Sequence, residues 1–252
     1  MLSINVALFG LIGITIFAVQ MIWIPLFAAG VINGVGHYLG YRNFESDDAS
    51  TNIVPWGILI GGEELHNNHH THSQSARLSS KAWEFDIGWL YIRLLEMLHL
   101  ANVKKVAPEV LSTSNKLNID MDTVRAIIRH RAYITKLYGR KVIKPILRRE
   151  RRQASKELRR LYRRAGKFMV SEHLKLDFSA RELLDRVQQQ SKQLKTVYQS
   201  KQKLKELWQH SASNNARRVE KLQQWCDEAR ESGIQVLQEF ANELQSYTLK
   251  PA

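Results

Sequence analysis

The sequence has one cysteine, Cys226, five prolines in 252 residues, and no charged side chain before Arg42. Each scarcity excludes something. A single thiol rules out an internal disulfide framework and fits a reducing compartment. It also rules out a cysteine-rich metal site, so a bound metal must be held by His, Asp, Glu or Asn. The uncharged stretch from Met1 to Tyr41 leaves the whole cationic surplus, 37 Lys and Arg against 24 Asp and Glu, to the later residues. The missing basic start also excludes a secretory signal, which needs a basic n-region and only ~7–15 apolar residues.

The opening, MLSINVALFGLIGITIFAVQMIWIPLFAAGVINGVGHYLGY, is too long for one membrane span. About 40 helical residues would reach ~60 Å across a hydrocarbon core of ~30 Å. The pattern predicts a transmembrane helical hairpin, Ile4 to Gln20 and Trp23 to Tyr41, broken near Pro25. The alternative is a buried hairpin of a soluble protein, and the lack of a polar face stands against it. A hairpin returns both ends to one side, and the Lys- and Arg-rich remainder marks that side as cytoplasmic. Polar groups inside a span are costly and usually functional, which singles out Asn33 and His37, four residues apart.

Four of the nine histidines fall within GGEELHNNHHTH, Gly61 to His72. His66, His69 and His70 stand at i, i+3 and i+4, a spacing that projects all three from one side of a helix. Imidazole suits Fe, Zn, Cu and Ni. The zincin pattern places a glutamate base between its histidines, whereas Asn67 and Asn68 occupy those positions here. A hydrated histidine-rich loop with incidental metal affinity is the competing reading. Glu63 and Glu64 either orient ligand imidazoles or favour the first turn of the box helix.

HNNHH resembles the third histidine box, H-x-x-H-H, of integral-membrane fatty acyl desaturases. NGVGHYLGYRNFE is similar to the Asn-x-x-x-His stretch that ends their fourth membrane helix. WEFDIGWLYIRLLEMLHLANVKKVAP resembles the segment after the box in bacterial Δ9 acyl-CoA and acyl-lipid desaturases. The likeness runs from about Val6 to Tyr138. It implies that His37, His66, His69 and His70 ligate iron and that Asn33 acts through a water. It implies two irons, O2, an electron donor protein, and a fatty acyl substrate bound to CoA, lipid or a carrier protein. It also implies a multi-pass bacterial inner-membrane location. Such chemistry needs a metal–oxygen oxidant, because unactivated CH2 groups are barely acidic.

The family carries two further boxes, H-x-x-x-x-H and H-x-x-H-H, and neither occurs in this sequence. His99, His130, His173 and His210 are isolated, and His72 lies outside the box pattern. The resemblance therefore implies the C-terminal portion of a desaturase, with an incomplete di-iron site, a separate N-terminal half and no activity from this chain alone. The rival is a catalytically inactive remnant serving as a membrane-bound interaction module.

The expected organisation is all-α: a hairpin over 1–42, a histidine-box segment at the membrane interface over 43–103, and a basic cytoplasmic helical tail over 104–252. Between Arg140 and Arg164 the tail has twelve basic residues and only Glu150 and Glu157. Asp120 and Asp122 sit where helix caps belong, Ser179 with Glu182 reads as a capping box, and a last helix spans about Asn215 to Tyr247. Gly166, Gly233 and HSASNNA read as interruptions. The basic face suits bulk solvent, anionic headgroups or an acidic partner protein. Nucleic acid is not among the expected partners, since no recognition motif accompanies the charge. Trp56, Trp83, Trp89 and Tyr91 read as interfacial belt or as packing.

Overall fold

The computed structural model describes residues 1–107, 109, 111–112, 116, 118–209 and 215–248. The chain divides into two compact units, Met1–Ala107 and Pro108–Ala252.

The first unit begins with α1 (Leu2–Phe9) and α2 (Ile12–Ile24), and α2 runs on into a π-helical segment, Pro25–Val35. The helix boundaries differ from those the sequence suggested. The break falls at Gly10, whose φ of 62° closes a left-handed turn that a side chain would strain. Pro25, with φ −62°, does not break the helix. It lies where hydrogen bonding changes from α to π, so the register shift absorbs the missing N–H. With eight residues, α1 reaches ~12 Å and cannot cross a hydrocarbon core of ~30 Å. Ile12–Val35, 24 residues, is the one helix among the described residues long and apolar enough to do so. The expected pair of spans is thus one such helix and a short one packed on it, with Asn5 Nδ2 donating to Gln20 Oε1 at 3.0 Å.

The rest of this unit holds a parallel pairing of β1 (Trp56–Gly57) with β2 (Phe85–Asp86), the short α3 (His66–Thr71) and α4 (Ile87–Met97). Its polarity is reversed. Asn43, Asn52, Asn67, Asn68, Glu84 and Asp86 are buried, while Leu11, Tyr38, Trp56, Leu59, Tyr91 and Met97 lie on the outside. Of the four aromatic residues expected to belong to a belt or to packing, Trp56, Trp83 and Tyr91 are exposed. Trp89 carries the Arg93 guanidinium over its ring at 5.7 Å.

The second unit has ordinary polarity. It contains α5 (Met121–Arg129), α6 (Arg131–Tyr138), a π-helical segment Gly139–Ile143, α7 (Lys144–Gln153), α8 (Lys156–Val170), α9 (Phe178–Gln190), α10 (Lys192–Gln209), α11 (Asn215–Glu231) and α12 (Gln235–Gln245). β3 (Leu111–Ser112) and β4 (Tyr247–Thr248) pair antiparallel. Their apolar faces enclose Ile127, Ile134, Met169, Leu194, Leu222 and Phe240, each buried. Such side chains contribute ~1.5–3 kcal/mol apiece relative to exposure. Tyr138 is fully buried at the centre, donates to the Val197 carbonyl at 2.7 Å, and meets Phe240 edge to face.

Asp120 caps α5 as its position suggested, accepting from Thr123 N. The capping box at Ser179 does not form. Asp177 takes that role two residues earlier, accepting from Ala180 N at 2.7 Å and from Ser179 Oγ at 2.9 Å. A carboxylate is the stronger acceptor at a helix N-terminus. Gly166 does not interrupt either. It lies inside α8 where a Cβ would come within 3.0 Å of Leu147 Cδ1, so its small size lets α7 and α8 approach. Gly233 separates α11 from α12 as expected, and His210–Asn214 of the HSASNNA segment lie outside the described residues.

Candidate metal centre

Three imidazoles meet in the first unit. His37 follows the π-helical segment in a turn, and His66 and His70 lie on α3. One ring nitrogen from each can be chosen so that all lie within 4.8 Å of one another. His37 Nε2 and His66 Nε2 are 3.0 Å apart, and the His66 and His70 ring centres are 4.2 Å apart. His66 is buried, and its Nδ1 has no hydrogen-bond partner. His69 sits apart, 5.9 Å from the His70 ring centre, with Nδ1 4.0 Å from Glu63 Oε1. Asn33 is exposed and makes no side-chain hydrogen bond among the described residues.

Six residues are too few for a helix to be stable by itself, so α3 depends on its surroundings. A buried polar knot supplies them. Glu84 Oε1 accepts from Tyr41 Oη (2.6 Å) and Asn43 Nδ2 (2.6 Å), and Oε2 accepts from Asn68 Nδ2 (2.9 Å) and Ser80 N (2.6 Å). Asn68 Oδ1 in turn accepts from Asn43 and Asn52 amides, at 2.9 and 3.0 Å. The two asparagines of HNNHH therefore face inward and fix the rotation of α3. That rotation turns His66 and His70 toward His37. Asp86 ties down the next segment, capping α4 at Trp89 N (2.9 Å) and accepting from Leu78 N (2.6 Å).

Glu64 is buried, but its carboxylate accepts from Leu59 N (2.6 Å) and Ile60 N (3.2 Å) and shapes the turn before the box rather than orienting an imidazole. The acid within hydrogen-bonding distance of a box histidine is Asp48, with Oδ2 2.6 Å from His70 Nδ1. Sequence reading missed both Asp48 and Glu84. The available signals were the serines at 46 and 50, on either side of an aspartate at 48, and an acid next to Trp83 in an otherwise apolar motif.

Burial, and then the neighbouring His70, His37 and His69, push the His66 imidazole down to about 4. At neutral pH it is uncharged, and one of its ring nitrogens keeps a free lone pair. Burial opposes ionisation of Asp48, but hydrogen bonds from Ser50, His70 and Ser46 outweigh it and hold the carboxyl well below its ordinary range. Three imidazoles whose ligand atoms converge, one of them the buried His66 with an unpartnered Nδ1, fit a transition-metal ion. Among the described residues this is the only group of three or more His, Cys, Asp or Glu side chains whose ligand atoms converge in this way.

The chain is 36% identical over 88 residues to an sn-1 stearoyl-lipid 9-desaturase of Anabaena variabilis, covering 35% of this chain and 32% of that protein. It is 40% identical over 93 residues to an acyl-CoA 5-desaturase of Anemone leveillei (37% and 29% covered). It is 43% identical over 75 residues to an sn-2 palmitoyl-lipid 9-desaturase of Nostoc sp. (strain 36) (30% and 26% covered). It thus spans no more than about a third of the length of these relatives. A family model described as transposase, of the DDE ISL3 type, matches residues 127–250. No solved structure matches. Over about a third of its length, then, this chain is a homologue of the fatty acid desaturases.

Proposed function

We propose that the first unit supplies part of the histidine-built di-iron site of an O2-dependent fatty acyl desaturase. The observation that carries this reading is the convergence of His37, from the end of the long apolar helix, with His66 and His70 of the box helix. His37, His66 and His70 would hold one iron. His69, whose ring centre lies 5.9 Å from that of His70 but outside the converging three, and Asn33 through a water would serve the second. Iron there supplies the oxidising power, with O2 and a donor protein's electrons, that no side-chain base can provide against unactivated CH2 groups. The residues' own work is to hold the ring nitrogens in place and keep the site behind a buried polar knot.

The reversed polarity of the first unit supports a place in the membrane, since its apolar exterior suits lipid or a companion helix rather than water. The bacterial inner membrane with a cytoplasmic C-terminal unit accords with the uncharged start and the basic remainder. These ligands are too few for two irons, so a separate N-terminal half would complete the site around an acyl chain on CoA, lipid or a carrier protein. Co-expression with a half carrying H-x-x-x-x-H and H-x-x-H-H boxes is expected to give an iron-loaded pair and unsaturated fatty acid, and this chain alone no unsaturated fatty acid. Desaturation by the chain alone, or a pair that retains no iron, contradicts the reading.

A second reading concerns the other unit and is favoured by the transposase match over 127–250. Along α7 and α8, Lys144, Arg148, Arg149, Arg152, Arg160 and Arg163 are exposed, with no carboxylate partner among the described residues. Their charge suits a phosphate polyanion, contrary to the expectation that nucleic acid is no partner. Duplex DNA is expected to bind with an affinity that falls linearly in log–log fashion with salt, about 0.9 per phosphate neutralised. Charge reversal at Arg149, Arg152, Arg160 and Arg163 should flatten that slope. No binding at low salt sinks this second reading without touching the first.

A further inference from the structure

We propose that Asp48 is a positioning residue for the metal centre, holding the His70 ring with Nδ1–H toward its carboxylate so that Nε2 faces His37 and His66. The inference rests on the metal reading above. Asp48 Oδ2 lies 2.6 Å from His70 Nδ1. A ligating histidine ordinarily donates its other N–H to such an acceptor, which fixes tautomer and orientation.

The acceptor is itself held. Asp48 Oδ1 receives Ser50 Oγ at 2.6 Å, Ser46 Oγ at 2.9 Å and Ser50 N at 3.1 Å. The Arg42 guanidinium donates to the main-chain carbonyls of Ser46 (3.0 Å), Asp48 (2.9 Å) and Ser50 (2.8 Å), so the loop wraps around one planar cation. The same loop is fastened to α3 from behind. Asn67 Oδ1 accepts the N–H groups of Asn43 and Phe44, both at 2.9 Å, and Asn67 Nδ2 donates to Phe44 O at 3.2 Å. Residues 42–50 therefore grip the box helix at two points, Asn67 on its buried side and His70 on its outer side. An incidental surface ion pair contributes little to stability and needs no such holder. The adjacent Asp47 is exposed and makes no such contact among the described residues, which makes it the natural control.

The full chain, purified in detergent, would be titrated with Co2+ alone, reading the dissociation constant and the visible d–d absorption, with thermal unfolding recorded alongside. Asp48→Asn is expected to weaken Co2+ binding ~10–100-fold and to change the absorption band. Ser50→Ala should do the same more weakly, and Asp47→Asn, which removes the same charge one residue away, should do neither. Asp48→Asn that binds Co2+ like the unaltered chain, or Asp47→Asn that weakens it equally, overturns the proposal. If Asp48→Asn fails to fold, Ser50→Ala decides, because it keeps the carboxylate, and an unchanged affinity and spectrum there count against the proposal. An unaltered chain that takes up no Co2+ overturns the metal reading itself and this inference with it.

Discussion

Glu172→Ala is expected to destabilise the second unit by about 3–5 kcal/mol, the cost of leaving a buried charge without its partner. Lys201 is almost wholly buried, 3% exposed at its side chain, and its Nζ lies 2.6 Å from Glu172 Oε1. It also donates to the carbonyls of Met169 (2.8 Å) and Val170 (3.3 Å), satisfying the last turn of α8 from α10. Lys205 pairs with the second carboxylate oxygen. Removal of the acid strands the ammonium, and hydrogen exchange of the α8 and α10 amides should rise accordingly. Glu172→Leu with Lys201→Met should be far milder, because replacing both partners by apolar groups leaves no orphan. A single variant that exchanges like the unaltered chain contradicts this account of the pair.

The pH dependence has a defined sign. Burial works to raise the Glu172 carboxyl, but Lys201 and Lys205 outweigh it, so its folded value lies below its ordinary one. Its contribution is therefore complete above the unfolded value of ~4.3 and is lost as pH falls through the folded value. In Glu172→Gln this acid-labile part should be missing, which denaturant titrations at stepped pH would detect.

His66→Ala is expected to abolish metal retention, reducing bound Co2+ to the level of a chain with no centre. His66 is the middle of the group, with Nε2 facing His37 and its ring nearest His70. Its buried, uncharged imidazole has no hydrogen-bonding duty at Nδ1 that another residue supplies. His69→Ala is expected to retain the first ion, because His69 stands outside the converging three. Sequence spacing alone gave His66, His69 and His70 equal standing. Dialysis against Co2+ followed by metal analysis separates the two outcomes.

Helical character was readable throughout, because periodic apolar residues predict helices wherever a core exists to receive them. Boundaries were less so. Ser191 ends one helix and caps the next through Leu194 N at 3.1 Å. A serine can serve an interior or a cap, and only tertiary packing chooses between them. Pro25 misled for a related reason, since a switch to π hydrogen bonding removes the conflict a proline usually creates. At the site, His37, His66 and His70 were legible from spacing and motif. Asp48 and Glu84 were not, because their roles arise from contacts 16 to 43 residues apart in sequence, as in those of Glu84 with Asn68 and with Tyr41. The likeness of residues 127–250 to a transposase model was also invisible to a reading based on charge and periodicity.

The central claim is that an imidazole at the end of the apolar helix shares a metal ion with two imidazoles of the box helix. X-ray absorption at the cobalt edge of the Co2+-loaded chain tests it most directly, comparing the unaltered protein with His37→Ala. The account predicts a nitrogen and oxygen shell with the multiple scattering of three imidazoles, reduced by one ring in the variant. An unchanged imidazole count in His37→Ala would contradict it.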